Sequence, residues 1–356
     1  MFHNKILITG GAGFVGSNIA IKLKESRKKI SIIVLDNLKR RGSELNLSRL
    51  EKHGIKFIHG DIRNKEDLDS IGPIDCLIEC SAESSVLSGY HGAAGYVINT
   101  NLLGTINCLD IVKKYNSDMI FLSSSRVYPI EAINSIKCNE TESHFRICKR
   151  QSLPGVSEKG ISESFPLIGV RSLYGTTKLC SEHIIQEYID MYDIRCVINR
   201  CGILTGPWQM GKIDQGVIAL WVAKHLFDGE LNYIGFGGEG KQVRDILHIN
   251  DLISLLTSQM EKISEINGQV YNVGGGLKNS ISLSELTELC EEHTGNTINI
   301  GKIKDNRPGD IKAYITDNSL VTSTLGWQPI IGCNQIIKEM VTWINHNKKL
   351  LKSVFV

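Results

Sequence analysis

The alternation of short apolar runs with longer helical patterns through the first 200 residues constrains the fold of this chain most strongly. The runs KILITG, ISIIVLDN, IKFIHGD, DCLIECSA, DMIFLSSS and RCVINRC are separated by helical patterns such as GSNIAIKLKES and NLLGTINCLDIVKKY. The apolar runs lack apolar–polar alternation, which indicates strands buried on both faces. This pattern predicts an α/β fold with a doubly wound parallel sheet.

A glycine-rich turn follows the first apolar run. In ILITGGAGFVGSN, Gly10, Gly13 and Gly16 lie between a strand and a helix. Glycines let the backbone approach a pyrophosphate there, and the helix N-terminus offers it unpaired N–H groups. Asp36 ends the second run, where an acidic side chain favours NAD over NADP, and Arg40 beyond it weakens that preference. The sequence thus predicts a Rossmann domain that binds NAD.

Two lobes are predicted from a change in rhythm near residue 200. Beyond it the pattern is less regular, with the glycine-rich turns GFGGEGK and NVGGG between helices. We assign residues 1–199 to the NAD-binding Rossmann domain, with 246–276 returning to it, and 200–356 to a smaller C-terminal substrate-binding lobe. Residues 131–170 are long for a connection within a compact domain, which favours a functional flap.

Composition excludes several classes of protein. A net charge of +2 argues against a nucleic-acid binder, and ten cysteines without a CxxC pair favour reduced thiols in a cytosolic protein. The ten histidines show no metal-binding spacing, and His248 in RDILHIND is expected to pack between a strand and a helix. The first strand begins by residue 5, leaving no room for a signal peptide. We expect a cytoplasmic protein that holds no metal and contacts neither nucleic acid nor membrane.

The segment RSLYGTTKLCSEHI places Tyr174 and Lys178 about one helical turn apart on a shared face. FLSSSRVYP is a strand end, so Ser124 should emerge at the carboxyl edge of the sheet, where doubly wound folds bind ligands. A nearby ammonium and a positively charged nicotinamide ring favour a phenolate, and a serine hydroxyl can orient the same substrate hydroxyl. These residues form the predicted catalytic set.

The chain resembles the extended short-chain dehydrogenase/reductase family, in its nucleotide-sugar epimerase and dehydratase branch. The resemblance rests on TGGAGFVG, NTNLLGT, SSSRVY, YGTTK, RDILHINDL, YNVGGG and RPGD, which occur in this order. It implies a bound NAD, a keto-sugar intermediate, and an asparagine that orients the helix of the Tyr–Lys pair. It also implies a homodimer or homotetramer formed through helices around 99–115 and 175–192. The expected NAD-binding residues are Gly10, Gly13, Phe14, Val15, Gly16, Asp36, Asn37, Arg40, Asp61, Ile62, Ser81, Ala82, Asn101, Ser123, Tyr174 and Lys178.

Departures from the family's patterns narrow the reaction. Sugar 4,6-dehydratases of the family carry an Asp-Glu pair just after the serine or threonine, whereas this sequence has Ser125 and Arg126. Galactose-type 4-epimerases carry an asparagine three residues after the arginine of the sixth strand, where Ile203 stands. Pro129 replaces the usual glycine after VY. These departures disfavour dehydration and indicate a substrate pocket unlike that of the 4-epimerases.

The downstream segments GPWQMGKIDQG and GFGGEGKQVRDILH are similar to the tyvelose epimerases, which invert C2 of CDP-paratose. Arg244 and Arg307 match the family's phosphate-binding arginines, and planar guanidinium groups suit bidentate contacts. For Gln209, Asp214 and Gln215, a place in the pocket and a place on a surface loop are equally compatible with the sequence. Trp208 and Phe236 are candidates for stacking on a base or for packing in turns. The expected substrate-binding residues are Glu83, Ser84, Ser124, Gln209, Gln215, Arg244 and Arg307.

The leading hypothesis is an NAD-dependent epimerase that converts CDP-paratose to CDP-tyvelose through a transient 2-keto intermediate, in the synthesis of lipopolysaccharide O-antigen. A 4-epimerase or a reductase acting on another nucleotide sugar is the alternative within the same family. A non-catalytic NAD-sensing scaffold is the alternative from another class. The presence of Ser124, Tyr174 and Lys178 together speaks against a scaffold, because a sensor has no need of a tuned phenol.

Overall fold

The computed structural model describes residues 3–90, 92, 94–211 and 215–355 of the chain. The chain divides into two compact units. The first unit comprises Met1–Val127, Ser172–Arg200 and Ile253–Tyr271, and the second comprises Tyr128–Arg171, Cys201–Leu252 and Asn272–Val356.

Strands and helices alternate along most of the chain, joined by short helical turns of other types. The strands are β1 (Lys5–Thr9), β2 (Ser31–Asp36), β3 (Lys56–His59), β4 (Cys76–Glu79), β5 (Asp118–Ser124), β6 (Cys138–Glu140), β7 (Phe145–Ile147), β8 (Val156–Ser157), β9 (Gly160–Ile161), β10 (Arg195–Cys201), β11 (Ile203–Thr205), β12 (Leu231–Ile234), β13 (Val243–His248), β14 (Val270–Val273), β15 (Ser280–Ser282), β16 (Ile300–Ile303) and β17 (Ala313–Tyr314). The α-helices are α1 (Phe14–Ser26), α2 (Leu47–Lys52), α3 (Lys65–Asp69), α4 (Ala94–Ile98), α5 (Gly104–Tyr115), α6 (Ile130–Asn134), α7 (Leu173–Tyr192), α8 (Val217–Leu226), α9 (Ile249–Lys262), α10 (Leu283–Thr294), α11 (Ser319–Leu325), α12 (Cys333–His346) and α13 (Lys348–Phe355).

A seven-stranded sheet forms the centre of the first unit. Its order is β14-β10-β5-β4-β1-β2-β3, and β1 pairs in parallel with both β2 and β4. Successive residues of β1 such as Ile6, Leu7 and Ile8 are all fully buried, so neither face of the sheet meets water at this strand. The predicted doubly wound α/β fold is confirmed. The strand order reverses between β1 and β4, and ligands bind at such a switch point in folds of this kind.

The second unit contains a smaller sheet of order β11-β13-β15, with β17 paired to β13, and a separate parallel pair of β12 and β16.

Residues 131–170, predicted to be irregular, include most of α6 and the hairpins β6–β7 and β8–β9. Tyr128 anchors this segment within the unit, because its hydroxyl donates to Asn272 Oδ1 at 2.7 Å and its ring meets Phe165 edge-on. A role for the segment as a flap stays a prediction.

Several features of the described part of the chain bear on its class. None of its helices is long and apolar enough to cross a membrane, and none of its His, Cys, Asp and Glu side chains form a group of three placed to hold a metal ion. All ten cysteines are free thiols. His248 ends β13, is buried, and lies 3.1 Å from Glu339 Oε2 on α12, which is the packing position expected for it.

Candidate active site and cofactor-binding loop

The turn between β1 and α1 has the shape of a phosphate cradle. Gly10 adopts φ +63°, and a Cβ there would lie 2.9 Å from the Cys80 carbonyl carbon. A Cβ on Gly16 would lie 2.5 Å from the Gly10 carbonyl oxygen. Gly13 caps α1 without a side-chain hydrogen bond, and the first turn carries no acidic residue. The N–H groups of this turn are therefore suited to an anion.

Gly11 is a further glycine that the loop requires and that the motif spacing did not single out. A Cβ there would lie 2.3 Å from the Cβ of Val34 on β2, so the loop packs directly against the sheet. The doubled glycine Gly10-Gly11 was the available signal in the sequence. Phe14 and Val15, predicted NAD-binding residues, are the first two residues of α1.

Asp36 lies at the tip of β2, as predicted. Its carboxylate accepts hydrogen bonds from Leu38 N at 2.8 Å and Ala12 N at 3.1 Å, so it also fixes the glycine loop. Burial raises the pKa of Asp36, and these backbone N–H groups oppose that rise. An acceptor at this strand tip fits a ribose diol and opposes a 2′-phosphate. Arg40 is exposed just beyond it.

Asp61 and Asn37, both predicted to bind NAD, are hydrogen-bonded to each other. Asp61 accepts hydrogen bonds from Arg63 Nη2 at 2.7 Å and Asn37 Nδ2 at 2.8 Å. Burial raises the pKa of Asp61, but these partners outweigh it and lower the pKa to about 2. The side chain of Ile62 is buried in the core beside Gly104, and its carbonyl accepts a hydrogen bond from Asn107 Nδ2 at 2.8 Å.

The predicted catalytic residues are all buried within the first unit. Ser124 is the last residue of β5 and is 8% exposed, and its Oγ accepts a hydrogen bond from Arg126 N at 3.2 Å. Tyr174 and Lys178 lie in the first two turns of α7 and are 9% and 2% exposed. Ser172 caps this helix by accepting from Gly175 N at 3.2 Å, which fixes where the helix begins.

Asn101 connects the helix of the Tyr–Lys pair to the segment after β4. It lies in a π-helical turn, Asn99–Leu103, and its Nδ2 donates to Thr177 Oγ1 at 3.1 Å and to the Glu83 carbonyl at 3.0 Å. Its Oδ1 accepts from Glu83 N at 2.8 Å. Thr177 lies between Tyr174 and Lys178, so these contacts join the helix of the pair to the segment after β4. A role for Asn101 in orienting that helix, which the family resemblance implies, stays a prediction.

The other residues predicted on the segment after β4 differ in exposure. Ser81 and Glu83 are partly buried, and Ala82 and Ser84 are exposed. The Glu83 carboxylate accepts from Ser85 N at 3.1 Å, which closes a local turn. Ala82 and Ser84 are therefore accessible to a ligand from the first unit's surface.

A buried charge network lies behind β5 and was missed in the sequence. Glu182 on α7 accepts hydrogen bonds from Arg200 Nη2 at 2.8 Å and Nε at 3.1 Å, and from the Ser123 hydroxyl. Ser123, predicted to bind NAD, thus directs its hydroxyl to Glu182. Glu182 lies four residues after Lys178, a spacing that could have indicated its orientation toward the sheet.

In the second unit, the predicted phosphate-binding arginines have local partners. Arg244 Nη1 and Nη2 donate to the carbonyls of Val243 and Ile311, each at 2.7 Å. Arg307 pairs with Asp310 at 3.3 Å and its side chain is 38% exposed. Contact of either arginine with a substrate phosphate stays a prediction.

The remaining predicted pocket residues of this unit differ in their burial and contacts. Gln209 is buried, with its Nε2 donating to the Leu204 carbonyl at 2.7 Å. Gln215 is partly buried, and Asp214 lies outside the described residues. Trp208 and Phe236 both have positive φ. Trp208 packs on Trp343 and Phe236 packs on Phe145, so packing in turns accounts for the positions of both rings.

A cofactor cradle and a buried Ser–Tyr–Lys set in one unit define an NAD-binding enzyme of the Rossmann class. The family model "NAD dependent epimerase/dehydratase family" matches residues 6–274, and the chain belongs to this family of nucleotide-sugar enzymes, whose cofactor is NAD. The glycine loop and Asp36 fit that cofactor.

The chain is similar to several known proteins. It is 31% identical to a CDP-paratose 2-epimerase of Salmonella typhi, over 95% of this chain and 98% of that protein. It is 30% identical to a putative UDP-glucose 4-epimerase of Methanocaldococcus jannaschii, over 97% and 99%. Among solved structures, dTDP-glucose 4,6-dehydratase of Bacillus anthracis in complex with NAD has a TM-score of 0.76 at 25% identity, over 98% of this chain and 99% of that one.

Replacing Gly16 by alanine is expected to weaken NAD binding by at least about tenfold. The added Cβ would meet the backbone of Gly10 and Gly11 at 2.5 and 2.7 Å, so the cradle must widen. NAD affinity of the refolded apoprotein, measured by calorimetry, tests this. Gly54→Ala is the matched control, because a Cβ there meets nothing within 4 Å although its φ is +64°. Equal affinities in Gly16→Ala and wild type would contradict the placement of NAD on this loop.

Proposed function

We propose that this protein is an NAD-dependent epimerase that inverts C2 of CDP-paratose and yields CDP-tyvelose through a transient 2-keto sugar. The observation that carries the proposal is the buried set of Ser124, Tyr174 and Lys178 on a Rossmann unit with Ser125 and Arg126 directly after the serine. The acid–base work of redox epimerisation needs a phenol that exchanges one proton. Dehydration needs a further carboxyl pair, and these two positions do not supply it.

The chain's own residues perform the proton transfer. Tyr174 takes the proton of the substrate hydroxyl as its carbon is oxidised, and returns a proton to the oxygen when the carbon is reduced. The ammonium of Lys178, one turn further along α7, favours the phenolate state of that ring. Ser124 holds the same substrate oxygen by a hydrogen bond, and Asn101 fixes the helix that carries the pair. When bound, NAD supplies the hydride acceptor and donor.

Similarity supports C2 as the reacting carbon. The relative at 31% identity that covers 95% of this chain is a CDP-paratose 2-epimerase. Ile203 stands where the 4-epimerases carry a pocket asparagine. A nucleotide-sugar 4-epimerase is the second candidate, favoured by the putative UDP-glucose 4-epimerase at 30% identity.

Product analysis against three nucleotide sugars tests this proposal. The holoenzyme is incubated separately with CDP-paratose, UDP-glucose and dTDP-glucose, and the products are identified by NMR of the sugar ring. We expect inversion at C2 of CDP-paratose and no change in the other two. Inversion at C4 of UDP-glucose without turnover of CDP-paratose would establish the second candidate, and loss of water from dTDP-glucose would place the protein among the dehydratases.

The working form is proposed to be a cytoplasmic homodimer or homotetramer. The two regions expected to associate lie around residues 99–115 and 175–192. In and beside them the side chains of Ile98, Leu103 and Met191 are exposed, and apolar side chains of this size favour burial against a second copy.

A further inference from the structure

Glu79 is a buried carboxyl that the reaction outlined above does not use. It ends β4, is fully buried, and lies in register with Thr9 on β1 and Phe121 on β5. One oxygen, Oε2, lies 3.8 Å from Lys178 Nζ and 3.3 Å from Thr105 Oγ1. The other oxygen, Oε1, has no hydrogen-bond partner among the described residues. A carboxyl this deeply buried is rare unless it is paired.

Lys178 is the charged group that faces this carboxyl in the described structure. Its ammonium is also buried and lies 4.3 Å from the ring centroid of Phe121. A separation of 3.8 Å is longer than a direct hydrogen bond, so the two groups interact through their charges. Two buried ions of opposite sign stabilise each other where water cannot.

Two buried thiols among the described residues also interact with the charge of Glu79. Burial, assisted by that charge, raises the pKa of Cys108 on α5 and of Cys196 on β10. Burial also raises the pKa of Glu79 itself, and the charge of Lys178 and the hydrogen bond from Thr105 oppose that rise. Glu79 is therefore a carboxyl whose charge acts directly on Lys178.

We propose that Glu79 is a positioning residue that holds Lys178 as its buried counter-ion, and that its negative charge sets the pH range in which the Tyr174–Lys178 pair exchanges protons. This inference rests on the proposed acid–base roles of Tyr174 and Lys178. A carboxylate favours the protonated state of every nearby group. Removal of the carboxylate should therefore shift proton exchange by the pair to lower pH.

The test uses Glu79→Gln, which keeps the shape and removes the charge, and Glu79→Met, which avoids burying an unpartnered amide. The readout is tyrosinate absorbance of the holoprotein, titrated without any sugar. The chain has ten tyrosines, so the same titration of Tyr174→Phe is subtracted to isolate Tyr174. In either folded variant we expect the midpoint of Tyr174 to fall by about one pH unit. Both limbs of the pH profile of kcat/KM should move the same way, with about tenfold less activity on the alkaline side.

Two controls separate charge from shape. Thr105→Val removes the hydroxyl beside Glu79 but keeps its charge, and Glu79→Asp keeps a carboxylate, so both should shift the midpoint less than Glu79→Gln does. A folded Glu79→Gln or Glu79→Met with the wild-type midpoint and uniformly lower activity would overturn the proposal, because a space-filling role predicts that result. The titration needs no substrate, so a wrong sugar leaves the result interpretable. Identical titrations of wild type and Tyr174→Phe would instead overturn the acid–base assignment and this inference with it.

Discussion

Tyr174→Phe is expected to lower turnover by about 10³-fold while the protein retains its fold and its NAD. The substitution removes only the phenol oxygen, which is the group that exchanges a proton with the sugar. The ring stays in its buried place at the start of α7, and the cap of that helix is made by Ser172 and Gly175. The measurement is kcat on the nucleotide sugar that the wild type turns over, with NAD content and circular dichroism recorded on the same preparation.

Tyr188→Phe is the matched control on the same helix. The hydroxyl of Tyr188 donates to Asp110 Oδ1 at 3.0 Å, and burial followed by this carboxylate raises the pKa of Tyr188 to about 12. Its loss should cost about 1 kcal/mol of stability and leave turnover at the wild-type level. Full turnover in Tyr174→Phe would remove the phenol from the mechanism, whatever the behaviour of the control.

Local patterns predicted the parts of the site that lie where a strand meets a turn or a helix. Gly10, Asp36 and Ser124 each occupy the end of a buried apolar run, and such runs are visible in a sequence because both faces of the sheet exclude polar residues. The helix start at Ser172 follows from its capping side chain. The register of a Tyr–Lys pair on that helix then needs no long-range information.

The polar partners beneath the site could not be predicted in this way. Glu79 pairs with Lys178 across 99 positions of sequence. Glu182 contacts Arg200 and Ser123 because α7 packs on the sheet with that face of the helix turned toward the strands. A buried carboxylate in a sequence looks like any surface carboxylate until its partner is placed. The strands within residues 131–170 could not be predicted for another reason. They are only two or three residues long, which is too short to show an apolar–polar period.

Glu182→Ala is expected to lower the free energy of unfolding by about 3–5 kcal/mol. Glu182 and Arg200 are 4% and 7% exposed as side chains, and the carboxylate accepts hydrogen bonds from Nε and Nη2 of the guanidinium and from the Ser123 hydroxyl. Truncation leaves a buried positive charge without its counter-ion, and water cannot replace the lost contacts. Urea unfolding at neutral pH, followed by circular dichroism on NAD-free protein, measures the change.

Two further variants identify the unpaired charge as the cause of that loss. Replacing Glu182 and Arg200 together by methionine removes both ions at similar volume, so the double variant should recover most of the stability lost in Glu182→Ala. Asp69→Asn breaks the exposed pair of Asp69 with Lys114, whose atoms lie 2.7 Å apart, and should change stability far less because water solvates both groups. A double variant as unstable as Glu182→Ala would mean that Glu182 stabilises the fold mainly through its hydrogen bonds to Ser123 on β5 and Arg200 on β10. The uncompensated guanidinium would then not be the dominant cost.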